Sequence, residues 1–177
     1  ILTRMDEQQR DALESLGVDA PILQYLLFAE VQDPGGCSEQ PNHNQVAEDI
    51  GDFCELTEQH PDWFLRDSLG NILVNDDGYT IMDPGSSGWR NYWLERAKTS
   101  QDVWMWQGVF LDNVEASLEK RHRYLGFPRD YPDDASYQAA IEENLRFLYT
   151  TYFQPAGRPL YANIISLKDS QVWFRYL

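Results

Sequence analysis

Acidic and amide side chains stand directly after short apolar runs at several points of this sequence. Glu30, Asp83 and Asp112 each end such a run, and Asn113 follows Asp112. In parallel β/α folds the carboxyl ends of the strands face the loops that carry catalysis. We therefore expect these groups at the mouth of one sheet, where a carboxyl can exchange a proton with a substrate.

Asp112 is the best catalytic candidate. It stands in GVFLDNV, residues 108–114, directly after two bulky apolar residues. At the rim of a core, desolvation can raise the pKa of such a carboxyl, or a hydrogen bond can hold it ionised. Asp83 is the second catalytic candidate, although an Asp before Pro-Gly also suits a turn or a helix cap.

Five further residues are candidates for substrate binding. Glu30 could contact a sugar, or it could be a solvated loop acid. Asn113 and Asn163 could donate amide hydrogen bonds to sugar hydroxyls, although Asn113 equally suits a local turn. Trp63 and Tyr79 could stack on the C–H face of sugar rings, whereas most aromatic side chains fill a core.

The cleavage of a glycosidic bond requires a pair of carboxyl groups. One protonates the departing oxygen while the other stabilises or attacks the oxocarbenium-like carbon. A separation of roughly 5 to 5.5 Å indicates retention of configuration, and roughly 6.5 to 9.5 Å indicates inversion. A weaker alternative is a metal-dependent hydrolase with Glu30, Asp83 and Asp112 as oxygen ligands.

No cofactor or metal site is predicted. The sequence has no Gly-rich phosphate loop, nucleophile elbow or Cys–His pair. His43, His60 and His122 lack the spacing of metal ligands, so we expect them in solvated surface positions.

Composition narrows the class of partner. Twenty-nine acidic and fourteen basic residues give a net charge of −15, which repels phosphate backbones and argues against nucleic acid. Aromatic residues make up 14% of the chain, enough to fill a core and still offer platforms for sugars. No run of about eighteen apolar residues predicts a membrane span. A carbohydrate substrate fits these features best.

Strands and helices alternate along the sequence. Apolar runs predict strands at about 22–29, 79–83, 108–113 and 159–165. Helical periodicity predicts helices at 6–16, 43–60, 89–98 and 139–153. Further short segments predict a hairpin at 63–66 and 72–74, and a strand or helix at 172–177. Ser86 or Ser87 is expected to cap the third helix and Ser136 the fourth.

This alternation predicts an α/β fold of parallel β/α units in one domain, residues 1–177. A closed eight-unit barrel typically needs about 200 residues or more. We therefore expect a TIM-type (β/α) barrel of which this chain holds only the first four to five units. The open sheet edges would be covered by more chain or by a second copy in a homodimer.

The two cysteines leave their redox state open. Cys37 and Cys54 could form one disulfide, but the spacing does not fix the Cα separation that a bridge needs. They are too few for a disulfide framework and have no companion ligands for zinc.

Four segments together resemble a known family. The succession DWFLRDSLGN, YTIMDPGSSGWRNYW, GVFLDNV and PLYAN, between about residues 60 and 165, resembles TIM-barrel glycoside hydrolases related to the endo-α-1,4-polygalactosaminidases. The resemblance implies a glycosidase in which Asp112 is one of two essential carboxyls. It places the partner carboxyl on a Glu of a later strand.

The resulting hypothesis is a glycoside hydrolase that cleaves a polysaccharide outside the cell or in its envelope. The alternative is a non-catalytic carbohydrate-binding or scaffold fragment of a barrel. A second carboxyl close to Asp112 would favour catalysis.

Overall fold

The computed structural model describes residues 1–118, 126 and 128–165. The predicted element at 172–177 lies outside these residues. The described elements are α1 (Glu7–Ser15), β1 (Gln24–Leu27), β2 (Glu30–Gln32), α2 (Asp52–Gln59), β3 (Tyr79–Ile81), α3 (Ser87–Val103), β4 (Val109–Glu115), α4 (Asp134–Leu148) and β5 (Leu160–Ile165). A π-helical turn, Tyr149–Phe153, extends α4.

The main sheet is parallel and has the strand order β1–β4–β5. Gln24 pairs with Val109 and Leu27 with Asp112, while Val109 pairs with Leu160 on the other side. The parallel strands predicted near 22–29, 108–113 and 159–165 are therefore confirmed, and the fold is α/β. The described strands do not close a barrel.

The prediction that residues 79–83 form a fourth strand of this sheet was wrong. β3 (Tyr79–Ile81) pairs antiparallel with β2 in a separate two-stranded sheet. The reason is that the chain after β1 continues through Ala29 into β2, and its backbone carbonyls accept hydrogen bonds from the 79–82 segment. The amide of Met82 donates to the Ala29 carbonyl at 2.9 Å, and the Thr80 hydroxyl donates to the Val31 carbonyl at 2.7 Å.

The predicted hairpin at 63–66 and 72–74 is confirmed. Arg66 bridges Ile72 in antiparallel fashion, and the amide of Leu73 donates to the Leu65 carbonyl at 2.9 Å. Asp67 holds the turn, because its Oδ1 accepts from the amide of Asn71 at 2.8 Å. This hairpin continues the small antiparallel sheet.

The predicted helix at 43–60 is much shorter than expected. It begins only at Asp52, after Gly51, whose φ of +94° is a left-handed conformation incompatible with a continuing helix. The preceding residues instead bond to strands: the Asn44 carbonyl accepts from the Leu27 amide at 2.7 Å, and the Gln45 side chain accepts from the Gln32 amide at 2.7 Å. Tertiary contacts override the helical pattern here.

One of the two predicted helix caps is confirmed and the other is wrong. Ser86 caps α3, since its hydroxyl accepts from the Trp89 amide at 3.3 Å. Ser136 does not cap α4. Asp133 does, because its Oδ1 accepts from the Ser136 amide at 2.8 Å. A carboxylate at this position also complements the positive end of the helix.

α3 covers one face of the main sheet. Four of its apolar side chains are buried: Trp89, Trp93, Leu94 and Ala97. Ser100 donates to the side chain of Gln24 at 2.9 Å, which sets α3 against the face of β1 that carries Gln24. Because side chains alternate along a strand, Tyr25, Phe110 and Asp112 lie on the opposite face, where each is half-buried.

The outer edge of β1 is bonded to two other segments. Leu2 pairs with Gln24 in parallel, and the amide of Tyr25 donates to the Leu2 carbonyl at 2.6 Å. Further along the same edge, Asn44 accepts from Leu27 as described above. Within the described residues, no helix is long and apolar enough to cross a bilayer.

Cys37 and Cys54 form a disulfide with a Cα separation of 5.6 Å. The alternative left open by the sequence is thereby decided. The bridge ties the loop after β2 to α2.

Replacing Gly108 with Ala should destabilise the protein. An added Cβ would lie 2.5 Å from the Pro159 carbonyl oxygen and 2.9 Å from Leu23 Cδ2, where β4 enters between its neighbours. We expect Gly108→Ala to lower the free energy of unfolding by about 1 to 3 kcal/mol, the usual cost of overpacking. Urea denaturation measures this. Gly36→Ala is the matched control, because its added Cβ would meet only ordinary contact at 3.7 Å. Equal losses in both variants would contradict the close approach.

Candidate functional site

A bulge in β4 lies at Asp112 and Asn113. Leu111 pairs with Ala162 and Val114 with Ile164, so β4 contains one more residue than β5 between these two pairs. Asn113 has a φ of 56°, the left-handed conformation that Asn tolerates better than most residues. Bulges of this kind redirect a side chain locally.

The Asp112 carboxylate is held by hydrogen bonds from three strands. Its Oδ2 accepts from the Tyr25 hydroxyl of β1 at 2.5 Å. Its Oδ1 accepts from Asn163 Nδ2 of β5 at 2.8 Å and from the Asn113 amide of β4 at 2.9 Å. All three donors are uncharged.

These donors decide the charge state of Asp112. Burial would raise its pKa, but the hydrogen bonds from Tyr25, Asn163 and the Asn113 amide outweigh burial and lower the pKa below its usual value. The pKa of Tyr25 is raised, first by burial and then by its bond to Asp112. At neutral pH the site therefore holds an ionised carboxylate beside a protonated phenol.

Glu30 is a buried neighbour of Asp112 and Asn113. It is 1% exposed, and its Oε2 accepts from Asn113 Nδ2 at 2.8 Å. Its charge also helps to raise the pKa of Tyr25, which places it close to the phenol. Asn113 thus bonds Glu30 with its side chain and Asp112 with its backbone.

Tyr79 borders the same group. Its charge interaction with Tyr25 contributes to the raised pKa of Tyr25. The Tyr79 hydroxyl accepts from Asn42 Nδ2 at 2.8 Å and from Asn44 Nδ2 at 3.4 Å. The loop that the disulfide ties to α2 therefore reaches the neighbourhood of Asp112.

Asp83 has the contacts of a turn residue. Its Oδ1 accepts from the Gly85 amide at 2.8 Å and from the Tyr131 hydroxyl. Its carbonyl accepts from the Ser86 amide at 3.1 Å, just before α3. These contacts suit the turn interpretation, and a catalytic role for Asp83 stays a prediction.

Trp63 packs against the start of α3. Its ring stacks on His60 with centroids 3.7 Å apart. An added Cβ on Gly88 would lie 2.2 Å from Trp63 Nε1, so the ring covers that glycine closely. Its described contacts are with His60 and with residues of α3. A role as a sugar platform stays a prediction.

The two described histidines have local partners. His43 Nδ1 lies 3.1 Å from Glu48 Oε2, and His60 stacks on Trp63. Both are half-buried, so their positions are less solvated than expected. His122 lies outside the described residues. Within the described part of the chain, no three His, Cys, Asp or Glu side chains gather as a metal site, including the trio Glu30, Asp83 and Asp112.

Hydrogen bonds thus join four of the residues singled out in the sequence, Glu30, Asp112, Asn113 and Asn163, and Tyr79 borders them. The sequence interpretation missed Tyr25. Its signal is a hydroxyl two residues before Leu27, the register partner of Asp112. In a parallel pair, residues two apart share a face.

Comparison with protein families gives one match. The model described as hypothetical glycosyl hydrolase family 15 matches residues 19–154, well over half of the chain. No curated protein is significantly similar to the chain.

Two solved structures have similar folds. The glycoside hydrolase domain of PelA from Pseudomonas aeruginosa aligns with a TM-score of 0.53 and 16% identity, over 89% of this chain and 47% of that one. The galactosidase domain of the alpha-galactosidase-sucrose kinase AgaSK aligns with a TM-score of 0.50 and 14% identity, over 90% of this chain and 24% of that one. The chain therefore spans about half of the first protein's length and about a quarter of the second's. At such identities the likeness concerns the fold alone.

Replacing Tyr25 with Phe should raise the pKa of Asp112. The variant loses the donor to Oδ2, so the carboxylate is less stabilised relative to its protonated form. Carboxyl-carbon NMR across a pH titration measures the pKa. Tyr161→Phe, on a residue that is 57% exposed on the neighbouring strand, is the control and should leave it unchanged.

The same substitution should change how stability depends on pH. A carboxyl whose pKa is lowered by folding stabilises the protein above its unfolded pKa, and this contribution is lost as the pH falls through the folded pKa. The stability deficit of Tyr25→Phe should therefore be largest near neutral pH and shrink below about pH 4. A deficit independent of pH would contradict the assignment.

Proposed function

Because this chain belongs to hypothetical glycosyl hydrolase family 15, we propose that it cleaves glycosidic bonds of a polysaccharide with Asp112 as one of two working carboxyls. The observation that carries this proposal is the group of donors around Asp112. Three uncharged donors from three adjacent strands keep the carboxylate ionised without neutralising it. Within the described residues no salt bridge to Asp112 offsets its negative charge.

The ionised state assigns a role to Asp112. A carboxyl with a lowered pKa is a poor proton donor at neutral pH, so it suits the carboxylate that attacks or stabilises the anomeric carbon or activates water. The second carboxyl must then protonate the departing oxygen. Asp83 is the candidate within the described residues, whereas the family resemblance implies a Glu on a later strand.

The fold proposal follows the same lines. We propose that β1, β4 and β5 are successive strands of a TIM-type barrel, since they are parallel, adjacent and separated by helices. Two glycoside hydrolase structures with similar folds support this. The remainder of the barrel would come from further chain or from a second copy.

A carbohydrate-binding or scaffold role is the second candidate. It is favoured by the engagement of both Asp112 oxygens in hydrogen bonds within the protein. In that case the carboxylate organises the strand tips and performs no chemistry. Either role suits a neutral or cationic saccharide, because a net charge of −15 repels an anionic one.

Replacing Asp112 with Asn should abolish hydrolysis. The substitution keeps the shape of the side chain and removes its charge, so we expect the turnover of a cleavable glycan to fall by more than about a thousandfold. The variant should still fold, with some loss of stability at neutral pH because the stabilised carboxylate is gone. The measurement is reducing-end release by the full-length protein from a panel of polysaccharides with and without amino sugars. Asp19→Asn, at an exposed position after α1, is the matched control.

Each result decides between the two roles. Unchanged turnover in Asp112→Asn would refute the catalytic assignment. If the wild type binds a polysaccharide but hydrolyses none of the panel, the scaffold role is favoured.

We also propose that the protein works outside the cell or in its envelope. Disulfides persist mainly in oxidising compartments, and Cys37–Cys54 is such a bridge.

Removing this disulfide should cost stability. The bridge spans a sequence separation of 17, for which loop-closure entropy gives about 3 kcal/mol. We expect the double variant Cys37→Ala, Cys54→Ala to lose about this much free energy of unfolding in denaturant titration. Protein isolated from its native host and unfolded without reductant should release no free thiol. Full alkylation under those conditions would contradict the proposed compartment.

A further inference from the structure

The bulge at Asp112 depends on a residue in an unfavourable conformation. Asn113 has a φ of 56°, a left-handed conformation that costs most non-glycine residues about 1 kcal/mol or more and costs Asn less. Such a conformation persists when surrounding contacts hold it. The side chain of Asn113 has one such contact, its 2.8 Å hydrogen bond to Glu30 Oε2.

Glu30 is fixed in place from its own strand. It pairs with Ile81 in the small antiparallel sheet, which holds its backbone. With an exposure of 1%, it is out of reach of a saccharide arriving from solvent. Its Oε2 accepts directly from Asn113 Nδ2 at 2.8 Å, so Glu30 holds the Asn113 side chain in place.

The segment between β1 and β2 braces the same point. The amide of Phe28 donates to the carbonyl of Asp112 at 3.1 Å. The backbone of Asp112 and the side chain of Asn113 are therefore both held by residues 28–30. Residues 28–30 therefore hold the bulge, while Tyr25 of β1 and Asn163 of β5 bond the carboxylate itself.

We propose that Glu30 is a positioning residue: through Asn113 it holds the bulge of β4 in the conformation that presents the Asp112 carboxylate to Tyr25 and Asn163. Glu30 and Asn113 then serve Asp112 and contact no sugar, in contrast to the substrate-binding roles expected from the sequence. The catalytic consequence rests on the proposed function of Asp112. The geometric consequence does not.

The test compares Glu30→Ala with Glu30→Gln in the full-length protein. Glu30→Ala should lower kcat by about 10- to 100-fold, as small misplacements of a reacting group do, with KM changed less than about threefold. It should also raise the pKa of Asp112 in carboxyl-carbon NMR, because its donors lose their alignment. Glu30→Gln keeps an oxygen acceptor for Asn113, so it should keep most of kcat and the low pKa.

Three outcomes would overturn the proposal. If Glu30→Gln is as inactive as Glu30→Ala, the charge itself is needed and Glu30 acts in the chemistry. If Glu30→Ala raises KM alone, Glu30 binds substrate. If Glu30→Ala leaves kcat, KM and the pKa of Asp112 unchanged, Glu30 does not position Asp112.

Two further variants keep the test decisive. Asn113→Gly permits the left-handed backbone but loses the amide that bonds Glu30. It should therefore lower kcat and raise the pKa of Asp112 as expected for Glu30→Ala, and it provides the test if Glu30→Ala does not fold. Glu48→Gln changes another buried acid, paired with Arg4 at 2.9 Å, and should leave the pKa of Asp112 and kcat unchanged. If the wild type hydrolyses nothing, the proposed function fails, while the pKa of Asp112 in these variants still tests the positioning.

Discussion

The structure depends on one carboxylate that is ionised and that, in the part of the chain the structure describes, accepts hydrogen bonds from uncharged donors. Asp112 receives hydrogen bonds from Tyr25, Asn163 and the amide of Asn113. Three parallel strands must lie in the correct register for these donors to converge. A shift of one residue in β1 would turn Tyr25 to the opposite face of the sheet, against α3. The register, the bulge and the charge state of Asp112 are therefore a single constraint.

The residues that hold Asp112 and Asn113 come from two sheets of different type. The parallel sheet supplies the donors, and the small antiparallel sheet supplies Glu30. Residues 28 and 29 join them, since Phe28 bonds β4 and Ala29 bonds the 79–82 segment. The hairpin at 63–66 and 72–74 hydrogen-bonds to Ile81, the pairing partner of Glu30, and therefore belongs to the support of the site.

The sequence was sufficient to find the strand that carries the site. A long apolar run with an acid at its end identifies a buried parallel strand, and Asp112, Asn113 and Asn163 could be named from such patterns. The partner and direction of β3 could not, because an apolar run carries no information on the strand with which it pairs. The loop at 43–51 was assigned to a helix because its apolar spacing is helical, and the bonds of Asn44 and Gln45 to strands are not visible in that spacing. Tyr25 was missed because an aromatic residue in an apolar run is normally assigned to the core.

The outer edge of β1 has a consequence for assembly. An unpaired edge invites any extended chain to add to the sheet, but the amides of Tyr25 and Leu27 are already bonded to Leu2 and Asn44. An incoming strand would first have to displace both. The described contacts therefore disfavour the addition of another strand at β1, which constrains any homodimer that would form through this edge.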